Sequence, residues 1–506
     1  MSDAAVTAPL APAVTSPAAP AVTAHRVPAA LAPDPSRVLA RLFLPGEELP
    51  GGRSRAGAVA GRVMGLPEPQ VERLATGLLD GYSSRHRDYS AMLMQHAAVV
   101  GSHVQPALPM STARTLLLGA SFTCEYALEG AALCNPSAVP HPDQDGLLSG
   151  QLRVAVSLRG IGEGHISSIG FASAVVGPGP QWTFEPRARP VVAGTSEGTT
   201  WRRDHLRAVL ADHGDIDGLA HNILDELPEV FVEADLELAL SAAHHDLLSR
   251  SGGQATVDML RRLVASAYQV SLPADSAFSQ RVLWPTAVEE SNGMEDARFV
   301  QFTGPDGAMA YHATYTAYDG KRIAPRLLTS PDLRVFQAHR LAGPAARNKG
   351  MALFPRLVDG RHWSLCRSDG ESNSVATSDD GFLWRSPTVL QAPEADWEVL
   401  QVGNCGPPIE TEAGWLVLTH GVGPMRRYAI GAILLDLDDP TVVLGRLPEP
   451  LLVTGPDERE GYVPNVVYSC GAVAHDGRLW LPYGVGDARI RVAWFDLDEL
   501  LTAIRR

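Results

Sequence analysis

The pattern of apolar and polar positions divides the chain into segments of different character. Residues 1–36 are mostly Ala, Pro, Val and Thr, a composition that buries too little apolar surface to offset chain entropy. We therefore predict a disordered tail there. Over residues 37–111, Val71, Leu74 and Leu78 recur at helical spacing, which predicts a helical N-terminal segment.

From residue 112 onward, short runs with alternating apolar positions predict β-strands, and Gly, Asp and Pro separate them. Residues 329–332 (TSPD) lead to Phe336, and residues 377–381 (TSDDG) lead to Trp384, 48 residues apart. A turn followed by an aromatic residue at a period of roughly 40 to 50 residues is typical of β-propeller blades. Ordinary hairpins of a β-sandwich are the alternative.

A helical insertion interrupts the β-rich part of the chain. Residues 204–213, 236–249 and 257–268 place apolar side chains at helical spacing, so residues 200–272 are predicted to form it. A lid, an oligomer contact and a peripheral decoration all fit this segment. The predicted β domain therefore covers residues 112–506 with an insertion of unassigned role.

Charge and cysteine content exclude several classes of protein. The formal net charge of -15 argues against binding to nucleic acid or to an anionic membrane surface. No apolar run reaches the length of a membrane span, and no basic residue precedes Arg26 as a secretory signal requires. Five cysteines without CxxC spacing favour free thiols over a disulfide framework or a metal site. We expect a cytoplasmic protein without a bound metal.

Two adjacent carboxylates stand at the start of an apolar strand. Glu295, Asp296 and Arg298 directly precede residues 299–302 (FVQF). A carboxylic acid beside a glycosidic oxygen can protonate the leaving group, and neighbouring charges set its pKa. Alternatively, one acid forms a structural salt bridge with Arg298.

Other polar residues also stand in turns between apolar strands. Lys349 and Arg367 are suited to hold phosphate or a carboxylate if they converge on one pocket. Otherwise they are solvated surface charges. His420 ends an apolar strand, where a propeller delivers side chains to its central channel, although a structural histidine also fits. Asp487 follows a glycine-rich turn and suits either sugar binding or turn capping.

Six blocks follow one another along the chain in a fixed order. They are Asn135-Pro136, Arg159, Glu295-Asp296-Ala297-Arg298, Leu353-Phe354-Pro355 followed by Arg367, Gly414-Trp415-Leu416 leading to His420-Gly421, and Tyr483-Gly484 leading to Asp487. In this order, the blocks resemble glycoside hydrolase family 130, the β-mannoside phosphorylases and mannosidases. The resemblance covers roughly residues 115–500 without the insertion, and it implies an all-β, five-bladed β-propeller with its active site in a central depression.

The resemblance also implies roles for individual residues. Asp296 takes the position of the general acid, although Ala297 replaces the proline usual in the family. The positions expected to bind the sugar are Asn135, Arg159, Arg298 and Asp487. The positions expected to bind phosphate in a phosphorylase are Lys349, Arg367 and His420.

Glu410 departs from the phosphorylase pattern, because the resemblance places a phosphate-binding lysine there. A carboxylate repels phosphate and can instead act as a general base toward water. Glu410 is therefore the expected base, and Glu460, ahead of Glu458, is a second candidate. This favours an inverting β-mannosidase that releases mannose from β-1,2-linked manno-oligosaccharides.

Two alternatives stay open at this point. Lys349, Arg367 and His420 support an inverting phosphorylase that forms mannose 1-phosphate, with inorganic phosphate as co-substrate and no other cofactor. A carbohydrate-binding propeller without catalysis is the third interpretation, since fold does not fix function. In each case the expected partner is a manno-oligosaccharide or mannoside, and the helical segments are candidate contacts of a homo-oligomer.

Overall fold

The computed structural model describes residues 22–46, 48–49, 53–101, 110–214, 217–242 and 253–505. Regular structure in these residues is mostly β-strand. Parts of three predictions lie outside the described residues: residues 1–21 of the tail, residues 47, 50–52 and 102–109 of the helical segment, and residues 215–216 and 243–252 of the insertion.

The N-terminal part combines short strands with helices. Its elements are β1 (His25–Leu31), β2 (Val38–Leu42), β3 (Glu48–Leu49), β4 (Arg53–Ser54), α1 (Arg55–Met64), α2 (Glu68–Tyr82), α3 (Tyr89–Gly101) and α4 (Thr112–Ser121). The helices share a core that includes Val71, Ala97 and Leu118. Two predictions need correction, because β1 lies within the predicted tail and β2 to β4 lie within the predicted helical segment of residues 37–111. Backbone pairing of β1 with residues 489–496, far away in sequence, orders this stretch.

The strands that follow form five antiparallel groups, which we number in chain order. Group one contains β6 (Ala132–Pro140), β7 (Leu152–Ile161), β8 (Ser167–Val176) and β9 (Trp182–Phe184). Just before it, β5 (Thr123–Ala127) pairs with β2 and ties the N-terminal part to the β domain.

The insertion between groups one and two has its own apolar core. Its elements are β10 (Val192–Ala193), β11 (Thr195–Gly198), β12 (Trp201–Arg202), α5 (Arg203–His213), α6 (Gly218–Glu226), β13 (Val230–Phe231), α7 (Glu233–Ala242), α8 (Gly253–Val264), β14 (Tyr268–Ser271) and β15 (Arg281–Leu283). Trp201, Leu236 and Leu260 are buried in this core. Since β14 pairs with the outer edge of group two, the insertion is attached at the rim of the β domain.

Groups two and three are regular antiparallel sheets. Group two contains β16 (Gly293–Thr303), β17 (Met309–Tyr318), β18 (Ile323–Ser330) and β19 (Val335–Arg340). Group three contains β20 (Ala352–Leu353), β21 (His362–Cys366), β22 (Asn373–Ser378) and β23 (Thr388–Gln391). A single residue pair, Gly293 with Ser167, joins groups one and two into one sheet.

Groups four and five complete the domain. Group four contains β24 (Gln401–Asn404), β25 (Ile409–Thr411), β26 (Gly414–Gly423), β27 (Arg427–Leu435), β28 (Val443–Arg446) and β29 (Leu452–Val453). Group five contains β30 (Val467–Tyr468), β31 (Val473–His475), β32 (Arg478–Val485) and β33 (Arg489–Asp496), and α9 (Leu497–Ile504) follows it. β1 pairs with β33 and is the outermost strand of group five.

The sequence repeat corresponds to the turn between the third and fourth strands of a group. In group two, Asp332 Oδ1 accepts hydrogen bonds from the backbone N–H groups of Arg334 (2.9 Å) and Val335 (3.0 Å). In group three, Asp380 Oδ1 accepts from Phe382 and Leu383, both at 2.9 Å. The same turn closes both groups, as the 48-residue repeat indicates.

Neighbouring groups pack against each other in chain order, and the last group meets the first. β6 contacts β16 on one side and β32 on the other, β16 contacts β20, β22 contacts β24, and β27 contacts β30. No helix in the part of the chain that the structure describes is long and apolar enough to cross a membrane.

Candidate active site

All five groups contribute side chains to one polar cavity of about 200 Å³. Eight of the ten residues predicted from the sequence line it, and two do not. The eight are Asn135 and Arg159 from group one, Asp296 and Arg298 from group two, Lys349 and Arg367 from group three, His420 from group four, and Asp487 from group five.

Two of these side chains, Asn135 and Asp296, stand where the register between neighbouring strands is broken. β6 shifts against β7 at Asn135 and Pro136, and β16 shifts against β17 at Asp296 and Ala297. Such bulges change the direction of a side chain relative to the regular ladder. Asn135 (φ 50°), Asp296 (φ 58°) and Asp487 (φ 47°) all adopt the left-handed conformation, which Asn and Asp tolerate better than most residues. Three conformations that are uncommon for residues other than glycine thus meet at one cavity, as is typical of functional sites.

Asp296 is held in its ionised form. Its Oδ1 accepts hydrogen bonds from Asn135 Nδ2 at 2.5 Å and from Arg159 Nη1 at 2.9 Å. Burial opposes ionisation, but the positive charges of Arg159, Lys349 and Arg298 outweigh it and hold the pKa of Asp296 well below its usual range. To donate a proton, Asp296 needs a higher pKa, and a negative charge that enters the cavity and offsets these cations would raise it.

Glu295 links the two cations on either side of Asp296. It accepts from Arg159 Nη2 at 2.6 Å and from Lys349 Nζ at 2.5 Å. Because it is almost fully buried, these ion pairs fix the directions of both cationic side chains. The sequence analysis gave Glu295 no role of its own, although its position next to Asp296 was the available signal.

Arg298 secures the bulge that carries Asp296. Its Nη1 donates to the Asp296 carbonyl oxygen at 2.9 Å, and its Nη2 donates to the Tyr468 hydroxyl at 2.8 Å. The side chain is 2% exposed. These two hydrogen bonds position Asp296 at the cavity wall, whereas the buried Arg298 Nε has no hydrogen-bond partner among the described residues.

Arg367 and His420 form a second wall. His420 Nδ1 lies 3.0 Å from the Asn404 carbonyl oxygen, which only accepts, so Nδ1 carries the proton and Nε2 faces Arg367 Nη1 at 3.4 Å. Burial and the Arg367 charge lower the pKa of His420 to about 3, so the imidazole is neutral. The buried Arg367 Nε has no hydrogen-bond partner among the described residues. This wall therefore presents a guanidinium to the cavity beside a neutral imidazole, which suits an anion.

Asp487 is the second carboxylate on the cavity wall. Burial raises the pKa of Asp487 to about 6, with Arg159 opposing the shift and Asp296 adding to it. Asp487 thus sits close to its titration midpoint near neutral pH, while Asp296 is firmly ionised. One cavity therefore holds two carboxyl groups with very different proton affinities.

Glu410 lies outside the cavity, and its expected role as general base needs correction. It is exposed on β25 and forms an ion pair with Arg356 Nη2 at 2.6 Å. Its neighbour Ile409 packs toward the core of groups four and five. Since adjacent residues of a strand point to opposite faces, Glu410 points the other way. A surface carboxylate paired with an arginine is not placed to activate water beside Asp296.

The second candidate base does not reach the cavity either. Glu460 is exposed, and its side chain is not among those that line the cavity. Glu458 is fully buried and accepts from Tyr483 Oη at 2.7 Å and from Arg491 Nη1 at 3.1 Å. These contacts give Glu458 a structural role in group five.

The cavity also contains residues that the sequence analysis did not single out. They are Gln401, Asn404, Tyr428 and Tyr468. Amides and tyrosines of these kinds occur throughout any chain, so only the fold identifies them. Across the described ranges, no group of three or more His, Cys, Asp or Glu side chains is placed to hold a metal ion.

The chain is similar to known enzymes. The model of the Glyco_hydro_130 family, described as beta-1,4-mannooligosaccharide phosphorylase, matches residues 274–506. A 1,2-beta-oligomannan phosphorylase of Thermoanaerobacter sp. (strain X514) is 35% identical over 222 residues, which is 42% of this chain and 71% of the relative. A beta-1,2-mannobiose phosphorylase of Listeria innocua serovar 6a is 32% identical over 228 residues, 43% of this chain and 62% of the relative.

Among solved structures, the beta-1,2-mannobiose phosphorylase from Listeria innocua in complex with beta-1,2-mannobiose is similar with a TM-score of 0.44 and 23% identity. That similarity covers 75% of this chain and 93% of the other. The family match and the sequence relatives agree with the ordered blocks around the cavity. The chain belongs to glycoside hydrolase family 130 and is an enzyme that acts on glycosides.

Proposed function

We propose that the protein is an inverting β-mannoside phosphorylase. It transfers the terminal mannosyl unit of β-1,2-linked manno-oligosaccharides to inorganic phosphate and forms α-mannose 1-phosphate. The observation that carries the proposal is that the cations Arg367 and Lys349 lie on the same cavity as Asp296, with the neutral His420 beside Arg367 and Glu410 at the surface. Glu410 was the residue that favoured hydrolysis in the sequence, and it lies outside the cavity.

The five strand groups suit a five-bladed β-propeller, and we propose this architecture. Each group packs against the next, group five packs against group one, and β1 joins the N-terminal residues to the last group. A ring of this kind directs the first strand of each blade toward the centre. The convergence of all five groups on one cavity supports this arrangement.

In the proposed reaction, Asp296 protonates the leaving oxygen while phosphate attacks the anomeric carbon from the opposite side. A single displacement inverts the anomeric configuration. Bound phosphate brings negative charge toward Lys349, one of the cations that keep the Asp296 carboxylate ionised, and thereby raises the pKa of Asp296. Phosphate thereby acts as the nucleophile and also prepares the acid.

The sugar lies between groups one, two and five in this proposal. Asn135, Arg159 and Asp487 present an amide, a guanidinium and a carboxyl group to its hydroxyls. The hydroxyls lose water on binding and need such partners. Related enzymes that are named for β-1,2-linked mannosides suggest the same linkage here.

Hydrolysis is the second candidate, and one observation favours it. Asp487 is a second carboxyl group on the cavity, and its pKa of about 6 suits a general base near neutral pH. In that case, water replaces phosphate and free mannose is released.

The test is incubation of the protein with β-1,2-mannobiose and with β-1,4-mannobiose, each with and without inorganic phosphate. The expected result is mannose 1-phosphate from the β-1,2-linked substrate in proportion to phosphate, identified by phosphorus NMR. Mannose release at a rate independent of phosphate would establish hydrolysis instead. Preference for the β-1,4-linked substrate would overturn the proposed linkage but not the reaction.

A further inference from the structure

A second cavity adjoins the candidate active site on group four. It is a groove of about 670 Å³ that extends from Tyr428 to the N-terminal residues Ala24 and Arg26. Tyr428 lines both this groove and the catalytic cavity, so the two cavities are neighbours. Another cavity of about 670 Å³, beside Arg153 and Arg281, shares no lining residue with the catalytic cavity.

Trp397 forms an aromatic wall of the groove and is held in place by two glycines. A Cβ atom at Gly421 would lie 2.5 Å from the Trp397 ring, and one at Gly431 would lie 2.7 Å from it. Gly431 is the cross-strand partner of Thr419, and Gly421 lies two residues after Thr419 on the same strand. Residues two apart on a strand point to the same face, so the two glycines share one face of the sheet. The ring therefore lies directly on the backbone of β26 and β27, and a side chain at either glycine would displace it.

The chemistry of the groove suits a carbohydrate. Trp397 and Tyr428 are half-buried aromatic side chains, and such rings pack against the apolar faces of sugars. Arg427 and Glu449 are exposed and also line the groove, where they can exchange hydrogen bonds with hydroxyl groups. The lining thus combines two aromatic rings and several charged side chains with apolar residues, a mixture that suits a sugar with both hydroxyl groups and apolar faces.

The catalytic cavity is too small to hold a whole oligosaccharide, so the further sugar units need a second binding surface. A volume of about 200 Å³ is below the roughly 300–1,000 Å³ of pockets that enclose drug-sized ligands, so only a terminal sugar unit and an anion fit inside. The remaining units of an oligosaccharide must therefore leave the cavity. The groove shares Tyr428 with the cavity and is therefore placed next to it to receive these units.

We propose that this groove binds the units of the substrate on the reducing-end side of the cleaved bond, so that the preferred substrates contain three or more mannosyl units. The proposal rests on the proposed function, because that function places the transferred unit in the catalytic cavity. It assigns the groove to chain-length selection and names Trp397, Arg427 and Glu449 as its contacts.

The first experiment compares substrates of different length. Phosphorolysis of β-1,2-mannobiose and β-1,2-mannotetraose is measured at saturating phosphate for the wild type, for the double variant Arg427→Ala/Glu449→Ala and for Arg446→Ala. We expect the kcat/KM of the wild type to be at least fivefold higher for the tetraose. The double variant should reduce this ratio at least fivefold. Both substituted residues are exposed, so folding is preserved.

Arg446→Ala is the matched control. Arg446 is an exposed arginine of the same strand group, is paired with Glu394 and lines neither cavity. Its variant should keep the wild-type ratio. A wild type that phosphorolyses both substrates equally well would overturn the proposal, as would a double variant with an unchanged ratio.

A second experiment separates the groove from the reaction. Mannobiose and mannotetraose are titrated calorimetrically into Asp296→Asn protein with and without the groove substitutions. Tighter binding of the tetraose that disappears with Arg427→Ala/Glu449→Ala supports the groove even if no mannose 1-phosphate forms in any assay. Equal affinities for the two sugars would refute the groove even if mannobiose is phosphorolysed.

Discussion

Two buried ionic networks occupy group two, and only one of them belongs to the candidate active site. In one network, Arg159 contacts both Asp296 and Glu295, and the cluster opens into the cavity. In the other, Arg326 lies 3.2 Å from Glu290, and both side chains are fully buried. Both place charges where isolated charges are unfavourable, so burial of charge alone does not identify a functional site.

The two networks differ in backbone geometry and in their access to the cavity. Tyr315 and Arg326 are partners in an unbroken antiparallel ladder, whereas Asp296 stands in a register break with positive φ. Glu290 also accepts from Tyr268 Oη at 2.9 Å, and its carboxylate is enclosed. The Glu290 network stabilises the attachment of the insertion, because Arg326 Nη2 also donates to the Ser266 carbonyl. The Asp296 network, in contrast, stands on an irregular backbone and faces the cavity on one side, where a substrate can contact it.

Asp296→Asn should have the largest effect on activity. Loss of the proton donor should lower kcat by about 10²–10⁴-fold, the range that general acid catalysis contributes. A nitrophenyl mannoside, whose leaving group needs less protonation, should lose less. Initial rates with both substrates check this expectation. A variant within about threefold of the wild type on manno-oligosaccharides, far short of that range, would remove Asp296 as the acid.

Glu290→Gln should mainly affect stability. Removal of the carboxylate charge leaves the buried Arg326 without its nearest counter-ion, at a cost of about 3 kcal/mol in the free energy of unfolding. Urea unfolding measures the loss, and kcat of the folded variant should stay near the wild-type value. A large fall in kcat of fully folded protein would show that this network also serves catalysis.

Asp487→Asn should stabilise the protein at neutral pH. The pKa of Asp487 in the folded protein, about 6, lies above its value in the unfolded chain, so the folded state binds this proton more tightly. The contribution of Asp487 to the free energy of unfolding is therefore fully present below about pH 4 and is lost as the pH rises through 6. At pH 7 the variant should gain on the order of 2 kcal/mol, and the gain should vanish at pH 4. Thermal unfolding between pH 4 and 7 measures it. A stability difference that does not change with pH would contradict the raised pKa.

Glu295→Gln should weaken substrate binding more than it slows chemistry. When Glu295 loses its charge, Lys349 and Arg159 lose the ion-pair partner that they share. We therefore expect kcat/KM to fall about tenfold, which corresponds to about 1.4 kcal/mol. The change should appear in KM for phosphate rather than in kcat. Glu295→Asp, which keeps the charge, should recover part of the loss. Equal losses in both variants would indicate a purely steric role.

Much of the site could be predicted from the sequence, because its residues stand in short blocks at strand ends. Asp296, Lys349 and Arg367 were candidates for that reason, and the fold brings them to one cavity. Tyr428 and Gln401 carried no such signal, since their role depends on which strand groups become neighbours. The strand β1 was missed because distant pairing with β33 orders a segment whose composition favours disorder.

Glu410→Gln should have the smallest effect, and it tests the contrast between a surface ion pair and the Asp296 network. It removes one negative charge, as Asp296→Asn does, but from an exposed pair with Arg356. Exposed ion pairs contribute about 0.2–1 kcal/mol, because water screens the charges and the side chains lose mobility. Arg356 should keep its place over the Trp415 ring, where its Cζ lies 4.9 Å from the ring centroid. We therefore expect product formation within about twofold of the wild type, a difference no larger than such surface pairs account for, with and without phosphate. A tenfold or greater loss of mannose release, equivalent to about 1.4 kcal/mol, would show that Glu410 acts on the substrate after all and would restore the hydrolase interpretation.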